Sequence, residues 1–187
     1  MSVHLIGNLS WQSDYWSEKP TAQDLRDSQH GDPQEYGVLW ERYNFNFEKC
    51  VRNGRKRGFL VCQSRPVSFD DREGIVFFAS AGYIVGLYAL PTIVPIDWDT
   101  FRDFSEEASN ISAPLEMCVR WKSILRVPID KARYFAGRKQ IRKYIYVGDR
   151  EANAIIRDAI AAHDDAPDVQ KKLNMIARSV WGADFKL

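Results

Sequence analysis

The chain has 187 residues, with 26 lysines and arginines against 25 aspartates and glutamates, and 45% of its residues are hydrophobic. A chain of this length and composition can bury its own core, which excludes disordered and collagen-like proteins. The balanced charge excludes a uniformly basic protein, although basic residues can still be concentrated locally. The three cysteines lack disulfide or zinc-site spacing, and residues 1–11 lack the pattern of a secretory signal, so we expect a cytoplasmic protein.

Short apolar and β-branched stretches, bounded by glycine, proline or polar residues, predict the strands. The strongest pair lies in residues 74–96, which carry no charge over 23 residues and are long enough to span a membrane. Because Gly82 and Pro91 interrupt this segment, we interpret it as two buried strands joined at Ala81-Gly82. The predicted strands and extended segments are residues 4–6, 36–40, 59–63, 75–78, 83–85, 117–127 and 144–147.

Two C-terminal helices are predicted, because apolar residues recur every three or four positions in residues 152–160 and 169–180. A capping pattern, Thr-Ala-Gln-Asp at residues 21–24, opens a short helix near the N-terminus. Residues 46–52 predict another short helix, which ends at a left-handed cap formed by residues 53–54, Asn-Gly.

The order of these elements indicates the fold class and the domain organisation. Several strands with few helices between them favour an α+β, barrel-like domain over a doubly wound sheet. We therefore expect a domain over residues 1–148, followed by a helical appendage over residues 149–187 that packs on it.

Catalytic signatures are absent from the sequence, so we expect a protein that is not an enzyme and needs no metal or cofactor. His4, His30 and His163 lie in no recognisable catalytic pattern, and we interpret them as packing or surface residues. A metal-dependent nuclease stays open as a lesser alternative, because such enzymes hold Mg²⁺ with acids and place a lysine near the phosphate. Its residues would be Asp97, Asp99, Glu116 and Lys122.

Aromatic and basic residues point instead to nucleic acid. Of the six tryptophans, Trp121 and Trp181 are expected in the core, whereas Trp98 lies in a loop where its ring could stack on a base. Because no helix carries a run of residues for reading base edges in a groove, the pattern suits single-stranded or flipped-out bases. Two basic clusters could follow a phosphate backbone. They are Arg52, Arg55, Lys56 and Arg57, and Lys131, Arg133, Arg138, Lys139, Arg142 and Lys143.

Three segments occur in one order along the chain. They are a tryptophan followed by Glu-Arg-Tyr-Asn at residues 40–44, an apolar strand pair with Ser-x-Gly at residues 74–86, and a strand with Arg-Trp at residues 117–121 that precedes Val-Pro at residues 127–128. In this order they resemble the EVE and YTH families of the PUA-like fold group, which read modified nucleic-acid bases. The resemblance covers residues 36–128 and implies a curved β-barrel with flanking helices.

The resemblance also implies a function and a set of site residues. The chain would flip a modified, methylated base into an aromatic cage, as EVE-like domains do in modification-dependent restriction proteins of the Mcr type. DNA is favoured over RNA, and a motor or nuclease subunit is the expected partner. A protein- or small-molecule-binding module of the same fold, with the tryptophans in the core, stays open. The cage residues would be Trp40, Trp98, Trp11 and Phe104 or Phe101, the polar base contacts Asn8, Tyr43, Asn44 and Ser80, and the phosphate contacts the two basic clusters.

Overall fold

The computed structural model describes residues 2–16, 20–27, 41–60, 64–96, 109–122, 127–128, 131–135, 141, 143–182 and 185. Its strands are β1 His4–Asn8, β2 Val51–Arg52, β3 Arg55–Gly58, β4 Ile75–Ser80, β5 Tyr83–Ala89, β6 Thr92–Ile93, β7 Ile111–Pro114, β8 Cys118–Arg120, β9 Val127–Pro128 and β10 Tyr144–Val147. Its helices are α1 Ala22–Asp27, α2 Lys131–Tyr134, α3 Asp149–Ala162 and α4 Pro167–Trp181.

The strands form two sheets. The first has the order β10-β1-β4-β5-β8, with β9 also paired to β5, and the second has the order β2-β3-β7-β6. β1 and β4 are parallel, with Leu5 opposite Val76, whereas the other pairs are antiparallel. The α+β prediction is therefore confirmed, but the described strands do not close into a barrel. The chain passes from β7 to β8 through a 3-10 turn at Leu115–Met117, so the chain itself joins the two sheets at this point.

Each face of the first sheet contributes to a different hydrophobic cluster. In β4, Ile75 and Phe77 face a cluster shared with α3 and α4, while Val76 and Phe78 face a second cluster. This alternation follows from the period of two along a strand. The second cluster also contains Ile111 of β7, so it lies between the two sheets. The first sheet is thus the middle layer between the C-terminal helices and the second sheet.

Several predicted elements are confirmed. β1, β4, β5, β10, α3 and α4 lie where the sequence patterns predict them. The β4–β5 hairpin turns at Ala81 and Gly82, whose φ angles are 49° and 84°, as a tight hairpin turn requires. No helix among the described residues is long and apolar enough to cross a membrane. The charge-free segment over residues 74–96 therefore forms strands, in line with the prediction.

The short helix predicted over residues 46–52 is wrong. The Asn46 side chain accepts hydrogen bonds from the backbone N–H groups of Glu48 and Lys49, each at 3.0 Å, and this turn replaces the first turn of a helix. The chain then enters β2, and Asn53 and Gly54, with φ angles of 52° and 70°, form the turn to β3. The pair thus has the predicted left-handed conformation in a hairpin instead of a helix cap.

The strand predicted over residues 59–63 is wrong at its described positions, Phe59 and Leu60. Two asparagine side chains replace a neighbouring strand there. Asn44 donates to the Phe59 carbonyl at 2.9 Å and accepts from its N–H at 2.8 Å. Asn110 forms the same pair of bonds with Leu60, each at 2.7 Å. The backbone N–H and carbonyl groups of Phe59 and Leu60 are therefore hydrogen-bonded, although neither residue pairs with a neighbouring strand.

A hydrogen-bonded network joins β1 to the C-terminal helices. The buried His4 ring accepts a hydrogen bond from the Ile75 N–H at its Nδ1 (3.0 Å), so its Nε2 carries the proton and donates to Asp149 at 3.1 Å. Trp181 donates to the same carboxylate at 2.8 Å. Burial lowers the pKa of His4, against the opposing effect of Asp149. His4 and the equally buried His163 are thus packing residues, as predicted, and His30 lies outside the described residues.

Candidate functional site

The candidate site lies at the carboxyl ends of the parallel strands β1 and β4. Past β1, the Leu9 N–H donates to the Ala79 carbonyl at 2.8 Å, and the Ser80 hydroxyl donates to the Leu9 carbonyl at 2.9 Å. The chain then leaves the sheet as the segment 9–16. The carboxyl ends of parallel strands are a common location for ligand sites, because the chain segments that follow them project from one edge of the sheet.

Hydrogen bonds hold the segment 9–16 against the turn formed by residues 41–45. The Ser10 N–H donates to the buried carboxylate of Glu41 at 2.8 Å. The indole of Trp16 donates to the Ser10 carbonyl at 3.0 Å, and the Phe45 N–H donates to the Trp16 carbonyl at 3.3 Å. The two segments therefore form one unit, to which we refer as the clamp.

The clamp contains backbone strain. Tyr15 and Trp16 are consecutive residues in the left-handed region, with φ angles of 59° and 60°. For residues with a Cβ atom this conformation costs about 1–2 kcal/mol each. Such strain concentrates at functional sites, where the surrounding structure holds it in place.

Aromatic rings line the clamp. The half-buried ring of Trp11 packs edge-to-face on Tyr15 and Trp16, with centroids at 5.6 and 5.8 Å. Trp16 is fully buried and packs in the same way on Phe45 at 5.8 Å. Trp16 is therefore core, whereas Trp11, one of the residues predicted for the cage, is only half-buried.

Buried polar groups without a partner are concentrated in the clamp. Within the described part of the chain, the Ser10 hydroxyl, both amide atoms of Gln12 and the Tyr43 hydroxyl are buried and form no hydrogen bond. Among the described side chains outside the clamp, only the indole nitrogen of Trp121 is buried without a hydrogen-bond partner. Each such group costs about 1–3 kcal/mol relative to a satisfied one. The clamp thus holds polar groups that a ligand could satisfy.

Two cations lie against Tyr43. The Lys49 ammonium is 4.7 Å and the Arg42 guanidinium 5.1 Å from the centroid of its ring. Lys49 is exposed and Arg42 is half-buried, so both can act near the surface of the clamp. Neither residue was among the predicted phosphate contacts, because single charges outside a cluster give no signal in the sequence.

The structure brings only some of the predicted polar contacts together. Ser80 lies beside the clamp and Asn44 within it, but the Ser80 hydroxyl is bonded to the Leu9 carbonyl and the Asn44 amide to Phe59. Asn8 alternates with His4 and Ile6 and so lies on the helix face of the sheet, away from Ser80. The Tyr43 hydroxyl is buried and forms no hydrogen bond. Sequence reasoning missed Ser10 and Gln12, since burial of a polar loop residue leaves no mark in the pattern.

The first basic cluster is only partly at the surface. Arg52 is exposed, whereas Arg55 donates to the hydroxyl and carbonyl of Ser112 at 3.1 and 2.7 Å. Lys56 is fully buried, its ammonium donates to the carbonyls of Lys49 and Arg57 at 3.1 and 2.7 Å, and burial lowers its pKa to about 8. Because its ammonium is already bonded to two carbonyls within the protein, Lys56 does not act as a phosphate contact in this structure. Arg57 is half-buried.

The second basic cluster is spread over several elements. Arg133 of α2 forms two hydrogen bonds with Asp158 of α3, at 2.8 and 3.2 Å. Lys143 is exposed, and its carbonyl accepts from the Asn8 N–H at 2.8 Å, so it lies at the same end of β1 as the clamp. Seven of the remaining predicted site residues lie outside the described residues, and they are Trp40, Trp98, Phe101, Phe104, Arg138, Lys139 and Arg142. The last one, Lys131, begins α2, but its side chain is not described.

The nuclease alternative gains no support from the described residues. They contain no group of three histidine, cysteine or carboxylate side chains that could hold a metal ion. Glu116 is exposed in the 3-10 turn, and Lys122 forms a surface ion pair with Asp168 at 2.8 Å. Asp97 and Asp99 lie outside the described residues.

Comparison with known proteins identifies no relative of this chain. No protein-family model, no curated protein and no solved structure matches the chain. The resemblance to the EVE and YTH families therefore stays a prediction from the sequence.

Proposed function

We propose that the chain is a nucleic-acid-binding reader that takes a methylated base out of its stack and holds it in the clamp, in a PUA-like fold of the EVE and YTH kind. The observation that carries this proposal is the concentration of buried, unpartnered polar groups beside a partly exposed tryptophan. A nucleobase has the matching chemistry, because it combines apolar faces with a hydrogen-bonding edge.

The energies of such a complex are sufficient for recognition. Stacking of a base on an aromatic ring such as Trp11 contributes about 1–3 kcal/mol, and burial of a methyl group adds about 0.8 kcal/mol. Hydrogen bonds to the base edge would remove the cost of the unpartnered groups of Ser10, Gln12 and Tyr43. Stacking therefore supplies affinity, while the polar groups supply selection.

The cations around the clamp would hold the flanking phosphates. Lys49, Arg42 and Lys143 lie on or beside it, and contacts from such residues position a strand without reading its sequence. DNA is the favoured nucleic acid, and a separate motor or nuclease would act on the DNA that the reader selects. In this role the domain serves a modification-dependent restriction system and catalyses no reaction itself.

The test is a titration at several salt concentrations with matched DNA duplexes and RNA strands. Each is prepared unmodified, with N6-methyladenine or with 5-methylcytosine. The proposal predicts that one modified form binds more tightly than its unmodified counterpart at every salt concentration. Equal, purely salt-dependent binding to all forms would contradict it, and tight binding of the isolated nucleoside would favour the small-molecule alternative.

Two variants separate base recognition from phosphate contacts. Trp11→Ala should weaken binding to the modified duplex about 5- to 100-fold, because the stacking surface is lost, and should weaken binding to the unmodified duplex less, because its bases stay in the stack. Lys143→Ala should weaken binding to modified and unmodified duplexes equally and reduce the salt slope by about 1. Equal losses from Trp11→Ala on both duplexes would exclude this ring from the cage.

A further inference from the structure

Gln12 differs from the other fully buried side-chain amides of the described chain. Asn44 and Asn110 each use both amide atoms, the donor and the acceptor, in bonds of 2.7–2.9 Å to the backbone. Gln12 is 0% exposed, yet neither its Oε1 nor its Nε2 has a partner among the described residues. Its backbone is fixed, because the Tyr15 N–H donates to the Gln12 carbonyl at 3.1 Å.

An unpaired amide at this position is costly without a ligand. A leucine or methionine would fill a similar volume without the cost of a buried donor and acceptor. The amide therefore suggests a partner that is absent from the isolated chain. That partner must offer an N–H donor next to an acceptor, since the amide presents one of each side by side.

We propose that Gln12 is the specificity-determining residue of the clamp and reads the edge of an amino-bearing base, adenine or cytosine, through two parallel hydrogen bonds. This inference rests on the proposed function. The Gln12 Oε1 accepts from the exocyclic N–H, and its Nε2 donates to the neighbouring ring nitrogen, as side-chain amides do with adenine. The hydroxyls of Ser10 and Tyr43 lie in the same clamp and can bond the remaining edge atoms.

The pairing restricts which methylated bases are accepted. A base with one methyl group on its exocyclic nitrogen, such as N6-methyladenine, keeps one N–H for Gln12. N6,N6-dimethyladenine has none, and a 5-methyl-2-pyrimidinone nucleotide lacks the amino group of 5-methylcytosine. Whichever methylated base the wild type prefers, the analogue without the N–H should bind about 10- to 100-fold more weakly in the same duplex.

The variant Gln12→Leu tests the role of the amide through two opposite effects. Affinity for the methylated duplex, and the discrimination against the analogue without the N–H, should both fall about 10- to 100-fold. The melting temperature of the protein alone should rise by about 2–4 °C, because a buried unpartnered amide is removed. A glutamine with a structural role would give a lower melting temperature.

Gln170→Leu is the matched control. Its amide donates to the Ile160 carbonyl at 2.9 Å at the start of α4, so this variant should lower the melting temperature and leave the base preference intact. If the wild type shows no base preference, the proposed function itself is wrong. If the wild type shows one and Gln12→Leu still discriminates fully against the analogue without the N–H, or if Gln12→Leu lowers the melting temperature, only the role of Gln12 is overturned.

Discussion

Replacing Glu41 tests whether the clamp is a single unit. Its carboxylate is 2% exposed and accepts the Ser10 N–H at 2.8 Å, on the boundary between the segment 9–16 and the turn 41–45. Glu41→Ala removes this acceptor and leaves the buried Ser10 N–H without a partner. Glu41→Gln keeps an acceptor oxygen at the same place and loses only the charge.

The magnitude follows from the kind of bond that is lost. A hydrogen bond to a charged acceptor contributes about 1.5–3 kcal/mol, and an orphaned buried donor costs a similar amount. We expect Glu41→Ala to lower the free energy of unfolding by about 2–3 kcal/mol, which lowers the melting temperature by about 5–10 °C. Glu41→Gln should lose less than half as much. Because Ser10 and Gln12 would shift, Glu41→Ala should also lose most of the preference for the modified base.

The assay combines urea unfolding with the duplex titration. Glu116→Ala is the control, since this carboxylate is exposed in the 3-10 turn and its loss should stay within about 0.5 kcal/mol. If Glu41→Ala is as stable as Glu116→Ala, the bond to Ser10 does not hold the clamp. If it is less stable but keeps the full base preference, the clamp is not the base-binding site.

Three further predictions concern the rest of the structure. Because burial lowers the pKa of His4, the unfolded chain binds the imidazole proton more tightly than the folded chain does. The stability contributed by the neutral His4 is therefore complete above pH 6.5 and is lost as the pH falls below it. Urea unfolding at pH 7.5 and 5.5 should show this loss in the wild type and a smaller one in His4→Asn. The pKa of Lys56 is about 8 in the folded state and 10.5 in the unfolded state, so the free energy of unfolding should rise by roughly 3 kcal/mol as the pH rises through this interval. Urea unfolding of Lys56→Met should show no such rise, while duplex titration should show unchanged binding. Asn110→Leu orphans the N–H and carbonyl of Leu60 and should cost about 2–5 kcal/mol by urea unfolding, and a cost under 1 kcal/mol would show that the backbone there finds other partners.

Local patterns predicted the elements that local interactions determine. The apolar faces of α3 and α4, the hairpin at Ala81-Gly82 and the capping box of α1 each depend on residues close in sequence. In that box Thr21 and Asp24 bond each other's backbone N–H groups at 2.8 and 3.1 Å, as the Thr-x-x-Asp pattern predicts. The strand predicted at residues 59–63 failed because its first two residues depend on distant asparagine side chains.

The site was harder to predict because burial decides it. Lys56 has the same sequence signal as Arg52, yet Lys56 in β3 is buried and Arg52 in β2 is exposed. Gln12 gives no signal at all, since its importance arises from the absence of a partner in the folded chain. Charge and aromatic patterns in the sequence can identify candidate binding residues, but only the tertiary structure shows which buried polar groups have no hydrogen-bond partner.

The distribution of unsatisfied and strained groups is itself an argument for a ligand at the clamp. Elsewhere in the described chain the buried polar side chains are hydrogen-bonded, as the bidentate amide of Asn110 and the His4–Asp149 network show. A general packing defect would scatter unpartnered atoms over both hydrophobic clusters. Instead, all but the Trp121 indole lie in the clamp, next to the left-handed residues Tyr15 and Trp16. Unpartnered polar groups concentrated at one place are what a binding site requires, because the ligand restores there the hydrogen bonds that the isolated chain lacks.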